Sequence, residues 1–221
     1  MSKRKTWNFK ELRHLCLAKG LPDSQVYQDT LLWKQWRASY HAEQYREIWM
    51  ELFSSSNEIQ VGGKGWNKAQ FASEAHVEAM AQALHSMADI LAQIINKTVL
   101  CAEFSEGDVK LSKILNELKK KPQASKIVER INKLQNSVEF RYIDAFVNTI
   151  KHRRLLDRVF HVEYGEGKRN DKAVCFRKFE YKGSRYGFIW ATDIIGPYRD
   201  RILKLISEIS NAVNEYVLGI N

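Results

Sequence analysis

No apolar run in this 221-residue chain approaches the ~20 residues that a membrane-spanning helix needs. The basic start, MSKRKTWNFK, is not followed by the apolar segment of a signal peptide. Cysteine is scarce as well. Cys16, Cys101 and Cys175 lie far apart, and an odd count argues against a disulfide framework. There is no CxxC knuckle, so the expectation is a reducing, cytoplasmic setting without membrane contact. GxSxG, HExxH, the Rossmann and P-loop glycine patterns and any carboxylate cluster suited to two metals are all missing. The expectation is therefore no metal and no cofactor. No internal repeat is visible.

What is present is an ordinary globular composition, 44% hydrophobic and 28% charged. At this length the simplest organisation is one domain spanning 1–221, with an insertion. Charge is distributed unevenly. The net of +9 arises from +5 over residues 1–19, +5 over 108–133 and +6 over 151–185, against −5 over 20–107 and −1 over each of 134–150 and 186–221. Concentrated positive charge draws polyanions, of which phosphate backbones are the commonest in a cell, although the same charge also serves as a solvated surface.

Hydrophobic periodicity predicts a mainly α chain. Residues 8–19 read as a short amphipathic helix closed by Gly20 and Pro22. Asp23 or Ser24 then caps a long helix to about Phe53, whose Trp33, Trp36, Tyr40, Trp49 and Phe53 predict one buried face. SSSNEIQVGGKGWNK reads as a loop, since its GGKG lacks Walker spacing and follows no strand. The next helix, roughly 69–97, pairs an apolar ridge (Met80, Leu84, Met87, Leu91, Ile94 or Ile95) with a polar row: Gln82, His85, Asp89, Gln93 and Asn96. No Lys, Arg or Glu occurs between Glu78 and Lys97, so this row is expected to face protein. His85 and Asp89 then belong either to a satisfied polar network or to chemistry.

A loop over 98–109 precedes helices at 110–120, stopped by Pro122, and at about 124–136. Lys119, Lys120 and Lys121 either grip phosphate or complement a helix C-terminus. A further helix over about 138–156 carries Arg141, Asn148 and His152 on one face, with Arg141 and His152 ~16 Å apart along it. The pattern then turns strand-like. Val159–Tyr164, Ala173–Tyr181 and Gly187–Ala191 predict an antiparallel hairpin or three-stranded sheet inserted at about 159–192. The last helix, about 196–217, buries Ile202, Leu205, Ile206, Ile209, Val213 and Val217.

The segment Asn148 to Arg154, NTIKHRR, carries most of the chemical interest. A histidine beside cations suits metal-free RNA cleavage: the imidazole moves a proton and a cation stabilises charge on phosphorus. The same run also makes a basic helix C-terminus favoured by the macrodipole.

The helical pattern, the AQALHSMADILAQIIN helix and above all VNTIKHRRLL resemble the HEPN superfamily, in particular its bacterial branches with an N-x-x-K-H-R motif. That resemblance implies an α-helical bundle that commonly dimerises. Many members are metal-independent ribonucleases of bacterial defence or toxin–antitoxin systems, and others bind RNA or a partner protein, such as an antitoxin, without catalysis. Active members carry an arginine, then four to six intervening residues, then a histidine. Here only Arg154 and His161 have that spacing, and His161 falls in a predicted strand. The candidate catalytic constellation is Asn148, His152 and Arg153, with Lys151, Arg154, Arg141 and Lys119–Lys121 as RNA-binding cations.

Overall fold

The computed structural model describes residues 7–55, 62–169 and 171–220. Its elements run α1 (Phe9–Ala18), α2 (Gln25–Ser55), α3 (Lys64–Thr98), α4 (Leu111–Leu118), α5 (Ser125–Gln135) and α6 (Val138–His152). Among the described residues five short strands follow: β1 (Arg158–Glu163), β2 (Asp171–Phe176), β3 (Phe179–Tyr181), β4 (Ser184–Tyr186) and β5 (Ile189–Trp190). A single turn, α7 (Ala191–Asp193), and a π-type turn over Ile194–Tyr198 lead into α8 (Arg199–Leu218). The chain is mainly helical with a small antiparallel sheet before its last helix, as its periodicity predicts.

The chain clusters into two compact units, each discontinuous in sequence. The first comprises 1–35, 84–141 and 201–221. Asn8 opens α1, its side chain accepting from the Glu11 amide at 3.2 Å, and Leu12 and Cys16 are buried. Gly20, at φ +62°, ends that helix in a conformation that costs glycine little. Asp23 accepts from the Gln25 amide at 2.8 Å where α2 begins. Asn214 of α8 ties this region together by donating to the Asn8 carbonyl and to Glu11, each at 2.8 Å. Its carbonyl oxygen accepts from the Trp7 indole at 3.1 Å. The six apolar positions expected on the inner face of α8 are all buried.

The second unit comprises 36–83 and 142–200. Its three-stranded sheet has the order β1-β2-β5, with Arg158 opposite Phe176 and Glu163 opposite Asp171. Ala173, Cys175 and Trp190 are packed together beneath Val159. The other face of β1 sends Phe160 against Trp49 and Trp66, with ring centres 4.9 and 4.5 Å away.

Three departures from the sequence reading have physical causes. The run Ala173–Tyr181 is two strands, and KGSRY is not simply a turn: Ser184–Tyr186 pairs with Phe179–Tyr181 as a separate hairpin. Lys182 and Gly183 both have positive φ, +49° and +75°, the geometry that matches the twist of a two-residue hairpin. Helix α3 begins at Lys64, so the expected loop is shorter; its residues 56–61 lie outside the described residues.

The third departure is on α2, where two stripes share helical spacing. Leu31, Ala38, Ala42, Tyr45 and Trp49 are the buried one, while Trp33, Trp36 and Tyr40 are 60%, 59% and 54% exposed. Small alanines share the core side with Tyr45 and Trp49, so of the expected aromatic face Trp49 is buried while Trp33, Trp36 and Tyr40 are not.

Candidate nucleic-acid interface

The end of α6 builds the site. Tyr142, Ile143, Phe146 and Val147 are buried and fix the helix against its own unit. Tyr142 sits edge-on to Phe179, Tyr186 and Tyr198, at 5.6, 5.9 and 5.8 Å between ring centres. Burial raises its phenol above the usual range. That cluster holds the β3–β4 hairpin on α6 and sets where the helix C-terminus lies relative to Tyr181.

The helix stops earlier than its sequence predicts. The Thr149 carbonyl accepts from both the Arg153 amide at 3.0 Å and the Arg154 amide at 3.1 Å, which closes the last turn after His152. Leu155 and Leu156 are consequently outside the helix, with Leu156 buried and Leu155 exposed.

Lys151, His152, Arg153 and Arg154 all emerge exposed from this end. The side chains of Lys151 and His152 make no hydrogen bond or ion pair among the described residues. Arg153 lies over the Tyr181 ring, its guanidinium carbon 4.9 Å from the ring centre. The Lys182 ammonium is 5.1 Å from the same ring. Arg154 is only loosely paired, 4.0 Å from Asp157. The edge thus carries five side chains that hold or can accept positive charge, two of them, Arg153 and Lys182, over one buried tyrosine.

The other expected site residues fall elsewhere or are engaged. Asn148 donates to the Asp144 carbonyl at 2.8 Å and to the Asp144 carboxylate at 3.0 Å, an internal helix contact. Arg141 and Lys119–Lys121 belong to the first unit. Arg141, Lys119 and Lys120 are exposed there, and Lys120 is paired with Glu117 at 2.7 Å. His161 is in β1, where its ring contacts Phe188 and Trp190 edge-on at 5.7 and 5.2 Å.

On α3 the polar row divides. Gln93 donates to the Glu106 carbonyl at 2.9 Å. Asn96 is buried, donates to the Phe104 carbonyl at 2.9 Å and accepts from its amide at 3.1 Å. Asp89, in contrast, is exposed. The half-buried His85 ring is parallel to Phe140, with centres 6.5 Å apart. The expectation of protein contact holds for Gln93 and Asn96 and fails for Asp89.

Two further clusters escape sequence reasoning. Arg158 pairs with Glu74, whose side chain is only 8% exposed. Burial raises the Glu74 carboxyl, and the Arg158 charge works against that rise. Glu78, one turn along α3, is raised by burial too. The other cluster is His41 and His76, with Nδ1 atoms 2.9 Å apart. Neither pairing has a local signal, because the partners come from elements far apart in sequence.

Among the described residues no group of three or more His, Cys, Asp or Glu could hold a metal ion, and no helix is long and apolar enough to cross a membrane. No family model, curated protein or solved structure matches this chain.

Proposed function

We propose that this chain is a HEPN-like RNA-binding protein whose contact edge is the C-terminus of α6 with the β3–β4 hairpin. The supporting observation is the placement of Arg153 and Lys182 over Tyr181 beside the unengaged Lys151 and His152. Cations presented on a fixed scaffold, not on a mobile tail, suit a phosphate backbone. The reading draws its setting, a bacterial defence or toxin system with a cognate partner protein, from the sequence resemblance alone.

Cleavage is the second reading, favoured by one observation: the exposed His152 is unengaged and next to Lys151 and Arg153. Against it, no group among the described residues hydrogen-bonds the imidazole to orient it, and Asn148 is bonded to Asp144. A second copy of the edge, as in the dimers the resemblance implies, would have to complete such a site.

One experiment addresses both readings. Purified chain is incubated with RNA in EDTA, with binding and cleavage followed together for wild type and His152→Ala. The binding reading expects salt-sensitive affinity with no cleavage by either protein. Cleavage lost on His152→Ala establishes the nuclease instead, and absence of RNA affinity at low salt removes both.

A further inference from the structure

His41 on α2 and His76 on α3 converge with no sequence motif to announce them. Their Nδ1 atoms are 2.9 Å apart, and the rings are tilted by 39° with centres 5.2 Å apart. Nitrogens this close share a single proton: one ring donates its Nδ1–H into the lone pair of the other. Both rings are shifted toward the neutral form, chiefly by burial. His76 and Arg37 add to the shift at His41. Neutral imidazole is also the form that coordinates metal. Tyr40 packs edge-on against the two rings at 5.2 and 6.4 Å and limits their rotation.

We propose that His41 and His76 form a two-imidazole site for a borderline transition-metal ion, with water completing the coordination. Tetrahedral coordination with metal–nitrogen bonds of about 2.0–2.1 Å separates the two nitrogens by about 3.3 Å. The observed 2.9 Å therefore needs an opening of a few tenths of an ångström, with both rings turning so that their Nδ1 lone pairs converge on the ion. The proton balance is simple. The donating ring passes to its Nε2–H tautomer, which frees both Nδ1 lone pairs, and no proton leaves the pair.

Ligand chemistry selects the ion. Two nitrogen donors suit Cu2+, Ni2+ and Zn2+, with Cu2+ held most strongly, and offer nothing to Mg2+ or Ca2+. No third His, Cys, Asp or Glu joins the pair among the described residues, and Arg37 opposes the incoming charge. Binding is accordingly open and exchangeable. This site is independent of the RNA reading.

The test is calorimetric titration of the full, tag-free chain with Zn2+ and with Cu2+. A Cys101→Ser background removes the exposed thiol, a competing soft ligand. The expected result is one ion per chain. His41→Gln or His76→Gln should weaken it at least about tenfold, since loss of even an outer-shell partner costs 10- to 100-fold. His14→Gln, an exposed histidine outside the pair, should leave it unchanged. A paramagnetic-resonance spectrum of the Cu2+-loaded chain provides a readout that needs no variant, with superhyperfine splitting from two nitrogens expected. No ion bound, wild-type affinity in either histidine variant, or a spectrum without two coordinating nitrogens overturns the proposal.

Discussion

The guanidinium of Arg153 stands 4.9 Å from the ring centre of Tyr181. The two residues come from different elements, the end of α6 and the end of β3. Tyr181 is 8% exposed, so the ring is a buried platform and the arginine its cover. An exposed cation–π contact is worth about 0.5–1 kcal/mol. Tyr181→Leu keeps the apolar packing and removes the π face. The expected outcome is a roughly two- to fivefold loss of RNA affinity, with a thermal melt lowered by about 2–4 °C. Unchanged RNA affinity would show that the stack does not preorganise Arg153 for phosphate.

Phosphate contacts have a second signature, the dependence of affinity on salt. Each neutralised phosphate of a single strand contributes about −0.7 to the slope of log K against log salt. A Lys151→Ala, Arg154→Ala, Lys182→Ala triple variant should flatten that slope by about 2 if all three cations sit on phosphates. The Lys119, Lys120 and Lys121 run makes the control, measured in the same titration. If only the lysine-run variant changes the slope, RNA binds elsewhere than the end of α6.

Much of the architecture was legible because burial leaves a periodic trace. The ridge of α3, the inner face of α8 and the inserted strands follow from apolar spacing. The α2 face was misread because two stripes with the same period compete, and the core one uses Ala38 and Ala42 where close approach matters more than side-chain bulk. At the site, Lys151–Arg154 could be read as a basic helix end, but the platform beneath Arg153 could not. Tyr181 reaches it only through the antiparallel hairpin that Lys182 and Gly183 allow. His41 and His76, 35 residues apart, had no signal at all before α2 and α3 were placed side by side.

Arg158 and Glu74 make a half-buried ion pair whose removal has a predictable pH dependence. Arg158→Met leaves the Glu74 carboxylate desolvated without its counter-charge. Breaking a fully buried pair costs ~3–5 kcal/mol. The Arg158 side chain is 36% exposed, so the expected loss at pH 7 is smaller, about 1–3 kcal/mol. The Glu74 carboxyl is already raised by burial in the folded chain. An acid raised on folding binds more protons folded than unfolded, so its ionisation removes stability as pH climbs from the ordinary carboxylate range through the folded value. Losing Arg158 raises Glu74 further and deepens that fall. Urea titrations at pH 7 and pH 5 should therefore show the variant's deficit shrinking at the lower pH. An equal deficit at both would mean that Arg158 contributes packing and not charge compensation.

Asn96 offers the sharpest stability prediction in the first unit. Its side chain is fully buried on α3 and holds Phe104 at both backbone groups, accepting from the amide at 3.1 Å and donating to the carbonyl at 2.9 Å. Cys101 and Ala102, between them, adopt positive φ, 54° and 63°, a conformation that non-glycine residues hold only when their surroundings enforce it. Asn96→Ala removes two hydrogen bonds at about 1 kcal/mol each and leaves the strained segment without its clamp, so the expected cost is about 2 kcal/mol or slightly more. Hydrogen exchange adds a local readout: the Phe104 amide should lose protection far more than the α8 amides. If the variant keeps wild-type protection at Phe104, the loop is held by its own turn and Asn96 is merely buried beside it.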